Sequence, residues 1–187
     1  MNDKIWESYL SLTSHLSDHY AATKGQQRVM CEIVEKLKDN SVVLELGTAH
    51  GLTAGLFLLS GLKNKIEYHG IDNFSLEGSY DEVKTNLDKL NIPYQLHVSN
   101  THDYPWDKPI DFLFIDAGHD EANVKVDIEK YIPFVKSGGF VVFHDYDGSK
   151  DPSVTPHWAI THYGDIATGT WKQVYYDELA LMIRQKP

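Results

Sequence analysis

Apolar positions along this chain alternate between two periods. Short apolar runs recur at 42–46, 66–71, 94–98, 110–115 and 140–143, and each reads as a strand. Between them the apolar spacing widens to three and four residues. Ile5, Tyr9, Leu12 and Leu16 predict a helix over 4–20, and Val29, Ile33, Val34 and Leu37 a second over 25–38. Leu52, Leu56 and Leu59 predict a helix over 51–61. Ser79 and Glu82 form a capping-box pattern that opens a helix to about Leu90, before Pro93. Val124, Ile128, Tyr131, Ile132 and Val135 mark a further helix, which Ser137-Gly138-Gly139 is expected to end. Residues 147–157, with Gly148, Pro152 and Pro156, read as an exposed loop, and 157–166 as a short helix. Two final runs, 171–176 and 179–183, read as a hairpin across Asp177-Glu178.

Strands alternating with helices predict an α/β domain: a parallel, doubly wound sheet with helices on both faces. The closing hairpin would add one antiparallel strand. In such a sheet, ligands sit beyond the carboxyl ends of the strands. The residues just past each strand are therefore the candidates: 45–51, Asp72, Ser99 and Asn100, 116–119, then His144 and Asp145. A carboxylate at Asp72 has the acceptors to receive two hydrogen bonds from a ribose diol.

The first strand turns through Gly47 and Gly51 into a helix. Glycines let backbone approach a ligand, and a helix N-terminus presents N–H donors. A dinucleotide fingerprint fails here, because positions 49 and 52 are Ala49 and Leu52; a phosphate-binding loop fails at Leu52 as well. The pattern present is E-x-G-x-x-x-G, Glu45 to Gly51. It resembles motif I of the class I S-adenosylmethionine (SAM) methyltransferases. The stretch from Phe112 to Asp147 resembles a group of small bacterial SAM-dependent O-methyltransferases of the methyltransferase domain 24 type, which share an I-D-x-x-H turn, a helix, a G-G turn and an H-D or D-D pair. Together the resemblances cover residues 41–148.

They imply a mostly parallel, seven-stranded Rossmann-like sheet with one reversed strand. They also imply SAM as cofactor, with Glu45, Gly47, Thr48, Gly51, Asp72, Ser99, Asn100 and Asp116 around it. Some relatives hold Mg²⁺ or another divalent cation; the matching positions are Asp116 and Asp145, with His144 or Asp147 third. Hard cations want oxygen ligands, whereas the imidazole of His144 suits softer metals. His119 and His144 are the candidate bases, since an imidazole can take a proton near neutral pH. Tyr146, Trp158, Tyr163 and Trp171 are candidate walls of an acceptor pocket, and Trp6, Tyr9 and Tyr20 a candidate cover. Each of these aromatics is more simply explained as core packing.

Composition narrows the setting. At 187 residues the chain reads as one domain, 1–187, with the helices of 1–40 packing on or capping the site. A formal charge of −10 and the lack of any Lys/Arg cluster argue against nucleic acid. Cys31, the single cysteine, lies in an apolar helical stretch and reads as a core thiol. No basic leader precedes an apolar segment and no apolar run approaches a membrane span, so a cytoplasmic protein without a membrane partner is expected. The expected activity is methyl transfer to a hydroxyl of a small molecule, with a homodimer as a further expectation. Three alternatives remain: a metal-free methyltransferase with a histidine base, a non-catalytic binding module on the same fold, and a nicotinamide-dependent oxidoreductase.

Overall fold

The computed structural model describes residues 1–16, 22–75, 78–144, 171–176 and 182–187. The chain begins with α1 (Asp3–Leu12) and α2 (Lys24–Val34), then runs β1 (Val42–Leu46), α3 (Leu52–Ser60), β2 (Glu67–Asp72), α4 (Tyr80–Asp88) and β3 (Gln95–Val98). There follow β4 (Ile110–Ile115), α5 (Glu121–Tyr131), a 3₁₀ turn (Ile132–Phe134), β5 (Val135–Phe143), β6 (Lys172–Tyr176) and β7 (Met182–Gln185). The sheet order is β3-β2-β1-β4-β5-β7-β6. From β3 to β5 every neighbouring pair is parallel, which makes this a Rossmann-like α/β fold. Beyond β5, β7 pairs antiparallel to it and β6 pairs antiparallel to β7.

The sheet core follows from alternation. Val42, Leu44 and Leu46 of β1 face one layer, with Val124, Ile128 and Tyr131 of α5 and Trp106 packed there. Val43 faces the other, among Met30 and Val34 of α2, Phe57 and Leu58 of α3, and Val83 and Leu87 of α4. Strands covered on both faces must be apolar throughout, and full burial of each large apolar side chain contributes about 1.5–3 kcal/mol. Glu45 is the exception within β1. It is buried, and the Tyr68 hydroxyl donates to its Oε2. Cys31 is fully buried beside Trp6 and Leu56, and burial pushes its thiol up to about 12. It is a core thiol, as its apolar flanks suggest.

Ser79 caps α4 by accepting from the Glu82 N–H at 3.2 Å. A reciprocal capping box also opens α2, between Thr23 and Gln26. One boundary differs from the sequence expectation. The last helix stops at Tyr131, not at Ser137-Gly138-Gly139. Pro133 lacks the N–H that would continue the ladder, so the chain tightens into a 3₁₀ turn and then extends at Val135. The Ser137–Gly139 stretch lies inside β5, where the register against β4 is interrupted between Val135 and Phe140. Gly138 adopts φ 78° there, and its N–H bonds to the Lys186 carbonyl at 2.8 Å. The expected loop at 147–157 and helix at 157–166 lie outside the described residues, as do Tyr20, Tyr146, Trp158 and Tyr163. Among the described residues no helix is long and apolar enough to cross a membrane.

Candidate functional site

β1 lies between β2 and β4, whose connections depart to opposite sides, so a crevice opens past its carboxyl end. A cavity of about 740 Å³ occupies that position. Its size falls within the usual range for small-molecule sites, roughly 300–1,000 Å³. The turn after β1 forms one wall. Gly47 (φ 86°) is wedged against β4: a Cβ there would stand 2.2 Å from the Asp116 carbonyl oxygen. Gly51 (φ 86°) is the N-cap of α3. A left-handed backbone at both points suits glycine and lets the turn press against its neighbours.

Asp72, the last residue of β2, holds this turn in place. Its Oδ2 accepts from the N–H groups of Thr48 (2.8 Å) and Ala49 (2.9 Å), and its Oδ1 from Phe74 N–H (2.6 Å). From its place at the strand end, this carboxylate is expected to accept two hydrogen bonds from a ribose diol. A carboxylate has about four lone-pair directions. Three are used, so one remains for a ligand hydroxyl. Two of these bonds come from N–H groups of the turn between β1 and α3, ahead of the helix itself. Glu45, Gly47, Thr48, Asp72, Ser99, Asn100 and Asp116 all line the cavity. Gly51 does not; it shapes the wall from behind.

Asp116 follows β4, and its N–H is bonded to the Leu46 carbonyl at 2.9 Å. Its carboxylate stands between two imidazoles. His144 Nδ1 is 3.0 Å from Oδ1, and His119 Nε2 is 3.7 Å from the same oxygen. His144 is buried, its ring edge-on to Phe114, while His119 is 48% exposed at the mouth. Both predicted bases thus converge on one carboxylate. Asp145 and Asp147 lie outside the described residues. Among the described residues, no group of three or more His, Cys, Asp and Glu is arranged to hold a metal ion.

The cavity's charge is one-sided. Glu45, Asp72, Asp116 and Asp120 line it, and among the described residues no lysine or arginine does. Such a wall suits a ligand carrying positive charge and repels a pyrophosphate. Asn73, Thr53, Thr101, His102, Asp120 and Asn123 also line it, beyond the positions expected from the sequence. Asp120 had a legible signal: it caps α5 by accepting from Asn123 N–H at 3.1 Å. His102 carried no recognisable spacing, because its partners lie on α5. Among the described residues none of 1–40 lines the cavity; α1 and α2 pack on α3, and Trp6 is buried beside Leu56.

The methyltransferase domain model Methyltransf_24 matches residues 44–146, more than half of the chain. The chain belongs to the Methyltransf_24 family. This bears out the methyltransferase resemblance read from motif I and from the β4–β5 region. The uncharacterized protein R132 of Acanthamoeba polyphaga mimivirus is 32% identical over 132 residues, covering 64% of this chain and 58% of that protein. The chain thus spans less than two thirds of the length of that curated relative. Solved structures agree in fold. The Podospora anserina methyltransferase PaMTH1, bound to S-adenosylhomocysteine (SAH), has a TM-score of 0.70 at 12% identity, over 100% of this chain and 89% of that one. A Bacillus cereus O-methyltransferase in complex with SAH has a TM-score of 0.63 at 18% identity, over 100% and 92%. An rRNA methylase from Streptococcus thermophilus has a TM-score of 0.62 at 16% identity, over 89% and 99%. Within this Methyltransf_24 domain, the matched segment runs from Leu44 in β1 past His144 and so contains both imidazoles and the carboxylate between them.

Proposed function

We propose that this Methyltransf_24 domain uses SAM to methylate a hydroxyl group of a small molecule. The observation that carries the reading is the cavity wall, which among the described residues has four carboxylates and no lysine or arginine. SAM carries a sulfonium and an ammonium, and a wall of this charge stabilises both. A nicotinamide dinucleotide would bring a pyrophosphate against the same carboxylates. The fit extends to the turn, where Asp72 has one acceptor direction left for a ribose hydroxyl. When bound, SAM supplies an electrophilic methyl group on its sulfur.

The chain's own residues handle the proton. His119 stands at the mouth, where an acceptor hydroxyl would enter. Its Nε2 lies 3.7 Å from Asp116 Oδ1, close enough for the two charges to interact. The imidazole would take the hydroxyl proton as the acceptor oxygen bonds to the methyl carbon and the methyl–sulfur bond breaks, releasing SAH, and the Asp116 carboxylate would compensate the imidazolium that forms. His144 fixes Asp116 from the buried side. Positioning of the two reactants in the crevice supplies the rest.

The test is calorimetric titration of SAH, with and without EDTA, followed by transfer of labelled methyl from SAM to a panel of phenols and catechols. Micromolar binding with turnover that His119→Gln lowers at least about a hundredfold supports the reading. A chelator that abolishes turnover while sparing SAH binding assigns Asp116, Asp145 and His144 to a divalent cation instead. Failure of SAH to bind under either condition overturns the reading.

A further inference from the structure

Behind the β3 side of the cavity lies a row of titratable groups that the chemistry above does not use. His69 of β2 is buried, and its Nδ1 is 2.9 Å from Nε2 of His97 on β3. The ring planes differ by 13°, and with centroids 5.2 Å apart the two nitrogens point at each other. Only one hydrogen fits between them, so one ring donates and the other accepts. The far nitrogen of His69, Nε2, lies 3.0 Å from Glu67 Oε1. A carboxylate only accepts, so the network assigns a hydrogen to that nitrogen and leaves Nδ1 to accept from His97. The Tyr104 hydroxyl lies 2.9 Å from His97 Nδ1, and Trp106 stands edge-on to His69. Lys108 bonds to Glu67, and its Nζ comes within 3.5 Å of His69 Nε2, as does Gln95 Nε2.

This pair ties the edge of the sheet to the cavity wall. β3 is a four-residue edge strand that pairs with β2 alone. The chain leaving it carries Ser99, Asn100, Thr101 and His102 into the wall, and the Ser99 N–H donates to the Asp72 carbonyl at 3.0 Å. α5 holds the same stretch from the other side. Lys130 Nζ donates to the carbonyls of Thr101 (3.2 Å) and His102 (2.7 Å), and the Tyr131 hydroxyl to the Thr101 carbonyl at 2.6 Å. The contact with β2 is the one that acid weakens. An added proton puts positive charge on a buried pair beside Lys108, and a proton on both rings sets N–H against N–H. Burial is the main cause that lowers both histidine pKa values; Lys108 adds to it, and Glu67 opposes it at His69. The folded values lie below the unfolded value of about 6.5, so the contact is complete above that pH and is lost as pH falls below it. Asp127 on α5 titrates with the opposite sign. It has no solvent exposure, its Oδ1 lies 3.8 Å from His102 Nε2, and burial raises its pKa to about 6, so acid favours its buried form.

We propose that the His69–His97 contact is an acid-sensitive clasp on the cavity: when the pair takes up protons, β3 parts from β2, the wall at 99–102 is withdrawn, and the cavity binds its ligand more weakly. An edge strand is held from one side only, so this is the pairing of the parallel sheet that opens at least cost. A ligand that needs the closed wall then expels the added protons as it binds, by linkage. The choice of SAH as probe rests on the SAM reading above; the opening of β3 does not.

The experiment titrates SAH calorimetrically into the unmodified protein and into His97→Gln, whose amide can still donate to His69 but takes up no proton. Circular dichroism checks that each sample is folded. Between about pH 7.5 and pH 5.5, the Kd of the unmodified protein is expected to rise at least about tenfold and that of the variant less than about threefold. The remaining histidines and Asp127 are common to both proteins, so the difference between them reports the clasp. Amide hydrogen exchange, corrected for the chemical rate, forms a second arm on the unmodified protein. Over the same pH range, protection at 95–99 is expected to fall at least about tenfold while that of β1 holds. This arm needs no variant and carries the test should His97→Gln fail to fold. Equal pH dependence of binding in the two proteins, or unchanged protection of β3, overturns the clasp and leaves the SAM reading intact. Absence of SAH binding at every pH overturns the SAM reading, and the exchange arm still decides the opening of β3.

Discussion

At the scale of single residues, the site depends on groups whose neighbours are already spoken for. Asp72 accepts three backbone N–H bonds, two from the turn it faces. Asp72→Ala should therefore weaken SAH binding at least about tenfold, since loss of charge-assisted bonds costs about 1.5–3 kcal/mol and frees the turn; calorimetry checks this. Gly47→Ala would place a Cβ 2.2 Å from a backbone oxygen at positive φ. Because neither strand can yield cheaply, it should abolish SAH binding and lower the melting temperature together. Asp127 gives a pH signature. Its folded pKa, about 6, lies above the unfolded value of about 3.9. The folded state holds the extra proton, so this stability is present below pH 4 and is lost as pH rises through 6. The loss is of order 3 kcal/mol at most. Denaturant melts across pH 4–7 should show that slope, and Asp127→Asn should remove it.

At the scale of elements, the outer parallel strands carry a cluster that no spacing revealed. His69 of β2 and His97 of β3 stack at 5.2 Å, with Nδ1 to Nε2 at 2.9 Å. The Tyr104 hydroxyl lies 2.9 Å from His97 Nδ1, and Lys108 and His69 both bond to Glu67. Burial is the main cause that lowers both histidine pKa values, and Lys108 adds to it. Here the sign is opposite to that of Asp127. The unfolded chain binds protons more readily near pH 6.5, so the stability is full above that pH and is lost as pH falls below it. His97→Gln should shift the acid-unfolding midpoint to lower pH, as circular dichroism would record. His69 and His97 show no ligand spacing along the chain, because strand pairing and not chain separation brings them together. The α5 boundary was misplaced for a local reason: the apolar rhythm continues through Val135, but Pro133 has already ended the helix.

At the scale of the whole molecule, binding must report on the fold. A ligand that occupies only the folded state at about 100 times its Kd adds about 2.7 kcal/mol of stability. For a chain of this size that is a rise of roughly 5–11 °C in melting temperature. SAH should give it, and NADH should not, given a wall of carboxylates without lysine or arginine among the described residues. The parallel sheet and the order of its elements were legible in the alternation of strand and helix patterns. So was the location of the site, since topology sends ligands to the strand ends beside β1.

The amino-acid sequence by itself determined the local code: apolar runs for β1 and β4, the Ser79 cap, the glycine turn after β1, and Asp72, Asp116, His119 and His144 at strand ends. These depend on neighbours in the chain, and periodicity carries them. Only the tertiary structure decided which groups meet. It spent most of the Asp72 carboxylate on the turn and placed Asp116 between two histidines. It set Asp127 beneath His102, and it kept the N-terminal helices out of the cavity lining. Those outcomes depend on packing between elements far apart in the chain, which no spacing within one element encodes.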